Sequence, residues 1–71
     1  MRAHWITRLR ALRQQQGLTQ RALAVKAGLP PRTIESLEGG KQTTTSRGKV
    51  DAIAQALGVS RTYLLTGDKE P

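Results

Sequence analysis

The chain has 71 residues, enough for one small domain with a thin hydrophobic core. It contains no cysteine and a single histidine, His4, which rules out disulfides and thiolate metal sites, argues against any metal or cofactor site and fits a cytoplasmic location. Twelve Lys and Arg residues against five Asp and Glu residues give a net charge of +7, which favours a polyanionic partner, above all nucleic acid.

Apolar residues recur at helical spacing along the chain, and no strand-like alternation of apolar and polar residues occurs. Trp5, Leu9 and Leu12 follow the pattern i, i+4, i+7, and the stretch from Val50 to Leu57 matches i, i+3, i+4, i+7. No apolar run approaches the ~20 residues of a membrane span. The pattern predicts an all-α fold of five short helices, over residues 3–16, 19–27, 31–38, 46–57 and 60–66.

The ends of these predicted helices carry their own signals. Thr19 and Ser60 stand where an N-cap side chain would accept a hydrogen bond from the first turn. Three apolar pairs have the spacing of a hydrophobic staple: Leu18 with Leu23, Leu29 with Ile34, and Val59 with Leu64. Five glycines follow the helices at the position that commonly adopts a left-handed conformation: Gly17, Gly28, Gly39, Gly58 and Gly67.

Two consecutive prolines in the stretch AGLPPRTIESLEGGK separate the second and third predicted helices. A residue that precedes proline is pushed out of the helical region, so Leu29 and Pro30 are expected to be extended or turn-like. Pro31 can then take the first position of the third helix, where its missing N–H is not needed. Together with Gly28, the prolines predict a short stiff turn between two helices, as in a helix-turn-helix.

This part of the chain resembles the helix-turn-helix of the Cro/XRE-type phage repressor family. The matching residues, in chain order, are Gln20, Ala24, Gly28, Ile34 and Leu37. The stretch ALGVSRTYLLTGD resembles the closing helices of that family, so the resemblance covers about residues 6–67. It implies a lambda-repressor-like DNA-binding domain over residues 1–67, with the second and third helices forming the helix-turn-helix, while residues 68–71 are expected to be a loose tail.

The resemblance also implies which residues touch bases, because the second helix of the motif lies in the major groove with its N-terminal residues on base edges. The candidates are Pro30, Pro31, Arg32, Glu35 and Ser36. Thr33 lies in the same turn, but Ile34 and Leu37 must face inward, which leaves Arg32, Glu35 and Ser36 outward. Arg32 is the strongest base reader, since a guanidinium can make a bidentate contact to guanine. The alternative for Arg32 is a surface ion pair with Glu35. The prolines depart from the family, where a Ser or Thr usually caps this helix, so Pro30 would make apolar contacts.

Phosphate contacts would position the domain without reading sequence. Gln20 matches the phosphate-binding glutamine of the family. The loop that such proteins lay along the DNA backbone offers further candidates, each of which could instead be solvated: Lys41, Thr43, Thr44, Thr45 and Arg47. Arg2, Arg8 and Arg10 are interpreted as a solvated basic face.

Arg13 and Glu38 occupy the positions at which phage repressors carry a partly buried ion pair between the first and third helices. The resemblance implies the same structural pair here, with Arg13 also a candidate for contact with a phosphate. Removing one partner would be costly, because it leaves an unpaired charge.

The function expected from these features is that of a transcriptional regulator, most simply a repressor that binds a near-palindromic operator as a homodimer, with Leu64 and Leu65 contributing to the dimer. The residues offer no nucleophile relay, acid–base pair or metal cluster, which argues against an enzyme. A membrane-active peptide would need one long amphipathic helix, which the glycines interrupt. The remaining alternatives are a helical bundle without a ligand, an antitoxin-type interaction module that also binds its own operator, and the DNA-binding half of a longer repressor.

Overall fold

The computed structural model describes residues 4–42 and 44–68. The fold is all-α, as predicted, with five helices in these ranges: α1 (His4–Gln15), α2 (Gln20–Ala27), α3 (Pro31–Glu38), α4 (Arg47–Leu57) and α5 (Arg61–Thr66). Three of the predicted ranges begin one residue before the observed helix, because they include the residue that caps it. Residue 3 of the first predicted helix and residues 69–71 of the predicted tail lie outside the described residues.

Three helices begin with a capping side chain. Thr19 Oγ1 accepts a hydrogen bond of 2.9 Å from the Ala22 N–H, and Ser60 Oγ accepts one of 3.0 Å from the Tyr63 N–H. Both caps were predicted and are confirmed. Ser46 Oγ accepts a longer bond of 3.4 Å at the start of α4. These bonds satisfy backbone donors that a helix cannot satisfy by itself.

The helix ends confirm four of the five predicted left-handed glycines and correct the fifth. Gly17, Gly28, Gly58 and Gly67 have positive φ. Gly39 instead keeps a right-handed helical conformation, with φ −79°, and the left-handed turn falls on Gly40, with φ +83°. The Gly39 N–H still donates to the Glu35 carbonyl at 2.8 Å, so α3 continues by one residue before the chain reverses.

The hydrophobic core draws at least one buried side chain from each helix. Helix α2 packs against α3 and α4, while α1 packs against α5 and α3. Ala24 is fully buried in α2. The first members of the three predicted staples pack against the core as partly buried residues: Leu18, Leu29 and Val59.

The burial of α5 corrects the expectation that both of its leucines contribute to a dimer. Leu64 is fully buried in the core, whereas Leu65 stays 40% exposed, so only Leu65 is available for contact with another molecule. Nowhere in the described ranges does a helix have the length and apolar character needed to cross a membrane.

Candidate nucleic-acid interface

The turn between α2 and α3 is built as the two prolines predict. Gly28 has φ +73°, and its N–H donates back to the end of α2. Pro30 is extended, with φ −62° and ψ 140°, and Pro31 is the first residue of α3. Pro30 supplies no side-chain cap, although its carbonyl accepts a bond of 3.0 Å from the Thr33 N–H. The turn is therefore stiff, and α3 starts without a capping side chain.

Half of α3 faces inward. Ile34 and Leu37 are fully buried, as predicted, and Glu38 is only 1% exposed. Thr33 is also buried, which agrees with its absence from the residues expected to face outward. The reason is that residues 33 and 37, like 34 and 38, are four apart and share a face, which makes the buried stripe two residues wide.

The opposite side of α3 carries the predicted base-contact residues. Arg32 and Glu35 are exposed and Ser36 is half-buried, while Pro30 and Pro31 are exposed at the start of the helix. Among the described residues no ion pair joins Arg32 to Glu35, which removes the support for the surface-pair interpretation of Arg32. Both side chains are available to a ligand.

Lys41 lies beside this surface because the chain folds back after the double glycine. The N–H groups of Lys41 and Gln42 both donate to the Ser36 carbonyl, at 3.0 and 3.2 Å. Arg32, Glu35, Ser36 and Lys41 consequently line one shallow pocket. The structure thus places a candidate phosphate contact next to the candidate base readers; we call these four residues the α3 surface.

The ion pair expected between α1 and α3 is confirmed. Arg13 Nε lies 2.7 Å from Glu38 Oε2, and Arg13 Nη2 donates to Glu38 Oε1 at 2.8 Å, which is a bidentate pair. Burial raises the pKa of the Glu38 carboxyl, but hydrogen bonds from Arg13, Gln20 and Arg10 outweigh it and hold that pKa below its usual value. Glu38 is therefore charged at neutral pH in spite of its burial.

Two more arginines bond to the protein interior, which corrects their interpretation as a solvated face. Arg10 Nε lies 3.2 Å from Glu38 Oε1, and Arg10 Nη2 donates to the Glu38 carbonyl at 2.8 Å. Arg8 Nη1 donates to the Leu64 carbonyl at 2.8 Å and so ties α1 to α5. The spacing could have indicated Arg10, because it lies three residues before Arg13 on the same side of α1. Arg2 lies outside the described residues.

Gln20 and Arg13 are both held by hydrogen bonds within the protein. Gln20 Nε2 donates to Glu38 Oε1 at 3.2 Å from the first position of α2, where the residue is half-buried. Arg13 Nη1 donates to the Leu18 carbonyl at 2.8 Å, so every nitrogen of its guanidinium has a partner, and its side chain is 12% exposed. This geometry favours a structural role for Arg13 over the expected phosphate contact.

The remaining loop candidates lie on a different groove. Thr44, Thr45 and Arg47 line it from the loop and from the start of α4. The other lining residues come from α1, α4 and α5: Trp5, Val50, Arg61 and Leu65. These three candidates are therefore separate from the α3 surface, which includes Lys41. Thr43 falls outside the described residues.

Comparisons with known proteins agree with this architecture. The profile of a family described as helix-turn-helix domain matches residues 7–64. A chain in the solved complex of the SinR protein with the SinI protein is similar to this one, with a TM-score of 0.80 and 30% sequence identity. The match covers 86% of this chain and 59% of that chain, so the present chain spans less than two thirds of its neighbour.

Proposed function

Because the chain belongs to the helix-turn-helix domain family, we propose that it is a transcriptional regulator that binds double-stranded DNA in a sequence-specific way and acts as a repressor. The observation that carries this proposal is the α3 surface. Polar and charged side chains stand exposed on one side of a helix whose other side is fixed in the core. Such a helix can enter the major groove without reorganising its backbone.

In the proposed complex, the N-terminal half of α3 reads base edges. Arg32 would donate two hydrogen bonds to guanine, and Glu35 can accept one from the amino group of cytosine. Ser36 can bond to more than one base, so it contributes less to discrimination. Pro30 and Pro31 offer apolar surface to a thymine methyl group.

Phosphate contacts would fix the register of the domain on the duplex. Lys41 is the first of these, because it stands beside the base readers. Gln20, at the start of α2, is the second. The proposal keeps four further contacts to the DNA backbone, in the loop and at the start of α4: Thr43, Thr44, Thr45 and Arg47. The net charge of +7 supplies the attraction.

The proposed active form is a homodimer on a near-palindromic operator, with the two α3 helices about one DNA turn, ~34 Å, apart. Leu65 supports this form, because it is a large apolar residue left 40% exposed. It lies beside Trp5 and Val50, and a second copy could contact Leu65 there without covering Thr44, Thr45 and Arg47. One small contact holds two chains weakly, so DNA would stabilise the pair.

A second candidate is a protein-interaction role, in which a partner protein controls or replaces DNA binding. It is favoured by the similarity to a chain solved as a SinR–SinI protein complex. Val25, which is 70% exposed on α2, offers a further apolar contact. Recovery of a stoichiometric partner protein with the native chain, together with failure to enrich any DNA sequence, would favour this role.

Selection of bound sequences from a random duplex pool tests the proposal. We expect enrichment of a near-palindromic motif, and two chains per duplex by sedimentation or native mass spectrometry. Anionic liposomes serve as the control for charge alone and should bind no better than a duplex that lacks the motif. Failure to enrich any motif would overturn sequence-specific binding, and one chain on a non-symmetric site would overturn the dimer.

A further inference from the structure

The carboxylate of Glu38 is contacted by more positive charge than its single negative charge can neutralise. Glu38 Oε1 accepts hydrogen bonds from three side chains: Arg13, Arg10 and Gln20. Two guanidinium groups thus face a single carboxylate, and Glu38 is the only acidic partner that the described residues give to either of them. We call these four residues the Glu38 network; it has a net charge of +1.

The surplus charge belongs to Arg10. Arg13 makes the bidentate pair with Glu38, uses all three nitrogens and is 12% exposed at its side chain. Arg10 approaches the carboxylate through one nitrogen at 3.2 Å, and its side chain is 35% exposed. Within the described part of the chain, Arg10 Nη1 has no hydrogen bond partner. A half-buried guanidinium that keeps free donors can bind an anion as a charge-assisted partner.

The free donors of Arg10 lie beside Gln20, the first residue of α2. Its amide nitrogen bonds to the same oxygen that Arg10 Nε approaches, so the two side chains lie next to each other. Only one hydrogen of the amide group is used by that bond, and the second is available. The side chains of Arg10 and Gln20 therefore offer adjacent hydrogen-bond donors.

We propose that Arg10 and Gln20 together bind one DNA phosphate, and that Glu38 is the positioning residue that orients both donors. This inference rests on the proposed function, and it adds a contact from α1 to those of α2, α3 and the loop. Arg10 has a structural role as well, because its bond to the Glu38 carbonyl supplies a cation at the end of α3, whose last turn has no basic residue. Phosphate binding by Arg10 predicts that Arg10→Gln changes the salt dependence of DNA binding, whereas a purely structural role predicts that it does not.

The test is the salt dependence of duplex binding by Arg10→Gln, measured from 50 to 200 mM salt under conditions where circular dichroism shows the variant folded. Glutamine removes the charge but keeps an amide donor for Glu38. Loss of one phosphate contact should reduce the slope of log K against log salt by about 0.9. Affinity for preferred and unrelated duplexes should fall by the same factor, about tenfold at the low end of the salt range.

The matched control is Lys26→Gln, which removes one exposed charge from the last turn of α2, the end away from Gln20. It should leave the salt slope close to that of the native chain. A slope for Arg10→Gln equal to that of Lys26→Gln would overturn the inference and leave Arg10 with its structural role alone. No duplex binding by the native chain would instead overturn the proposed function, and the inference with it.

A second variant, Gln20→Ala, tests the pairing even where Arg10→Gln fails to fold. It removes a neutral donor, so affinity for all duplexes should fall about threefold while the salt slope is retained. In a double-mutant cycle the two losses should be less than additive, because both side chains bind one phosphate. Unchanged affinity of Gln20→Ala for every duplex would overturn the proposed pair.

Discussion

The two ends of α3 are held in different ways. At the C-terminal end, the Glu38 carboxylate is buried and accepts bonds from α1 and α2, and the Glu38 carbonyl accepts another from Arg10. At the N-terminal end, Pro30 gives no side-chain cap, and Arg32 is exposed without an ion pair in the described ranges. The difference shows how one short helix combines a fixed backbone with free side chains, which is what recognition of a ligand requires.

Glu38→Ala should produce the largest effect, because it strands the Arg13 guanidinium in a site that is largely buried. We expect the free energy of unfolding to fall by about 3 kcal/mol, measured by urea denaturation. The matched control is Glu35→Ala on the exposed side of the same helix, which should change stability by less than about 0.5 kcal/mol. Equal denaturation midpoints for the two variants would contradict the difference between the two ends of α3.

Acidification should gradually remove the stabilisation that Glu38 gives to the folded chain at the C-terminal end of α3. The pKa of Glu38 is lower in the folded chain than its ordinary value of 4.5, so the unfolded state takes up the proton first. The contribution of Glu38 is therefore complete above about pH 4.5 and is lost as the pH falls through the folded pKa. Denaturation of the native chain should show this loss, and Glu38→Gln should show a flatter dependence below pH 4.5. The same acid dependence in both proteins would assign it to other carboxyls.

Lys41→Ala should have the smallest effect and should leave stability unchanged, because Lys41 is exposed and its backbone bonds to Ser36 remain. If Lys41 contacts a phosphate, affinity should fall by the same factor for every duplex, and the salt slope should decrease by about one unit. Fluorescence anisotropy at several salt concentrations measures both. A loss confined to the preferred sequence would instead make Lys41 a base contact.

The helices and their ends were predictable from the sequence because their signals are local. Thr19, Ser60 and the double proline each act within one turn of the chain, and the structure has all three as predicted. Gly39 shows the limit of such local signals, because either of two adjacent glycines could take the left-handed conformation. The Gly39 N–H continues the helical hydrogen bonding of α3, and the left-handed residue is Gly40.

The errors concern which side chains point inward, and that depends on how helices pack on each other. Arg10 was placed in solvent because its partner, Glu38, lies 28 residues away in sequence. For Leu64 a signal did exist, because its staple spacing from Val59 already predicted an inward position. The DNA contacts themselves stay predictions.

The division of roles proposed for the α3 surface is that Arg32 reads bases while Lys41, in the loop beside it, binds the DNA backbone. Its most direct test is the ratio of affinities for the selected duplex and for a scrambled duplex, measured for the native chain, Arg32→Ala and Lys41→Ala at one salt concentration. We predict that Arg32→Ala loses about 1–3 kcal/mol of this discrimination, whereas Lys41→Ala retains it. If Arg32→Ala weakened both duplexes by the same factor, Arg32 would be a phosphate contact and the claim would be wrong.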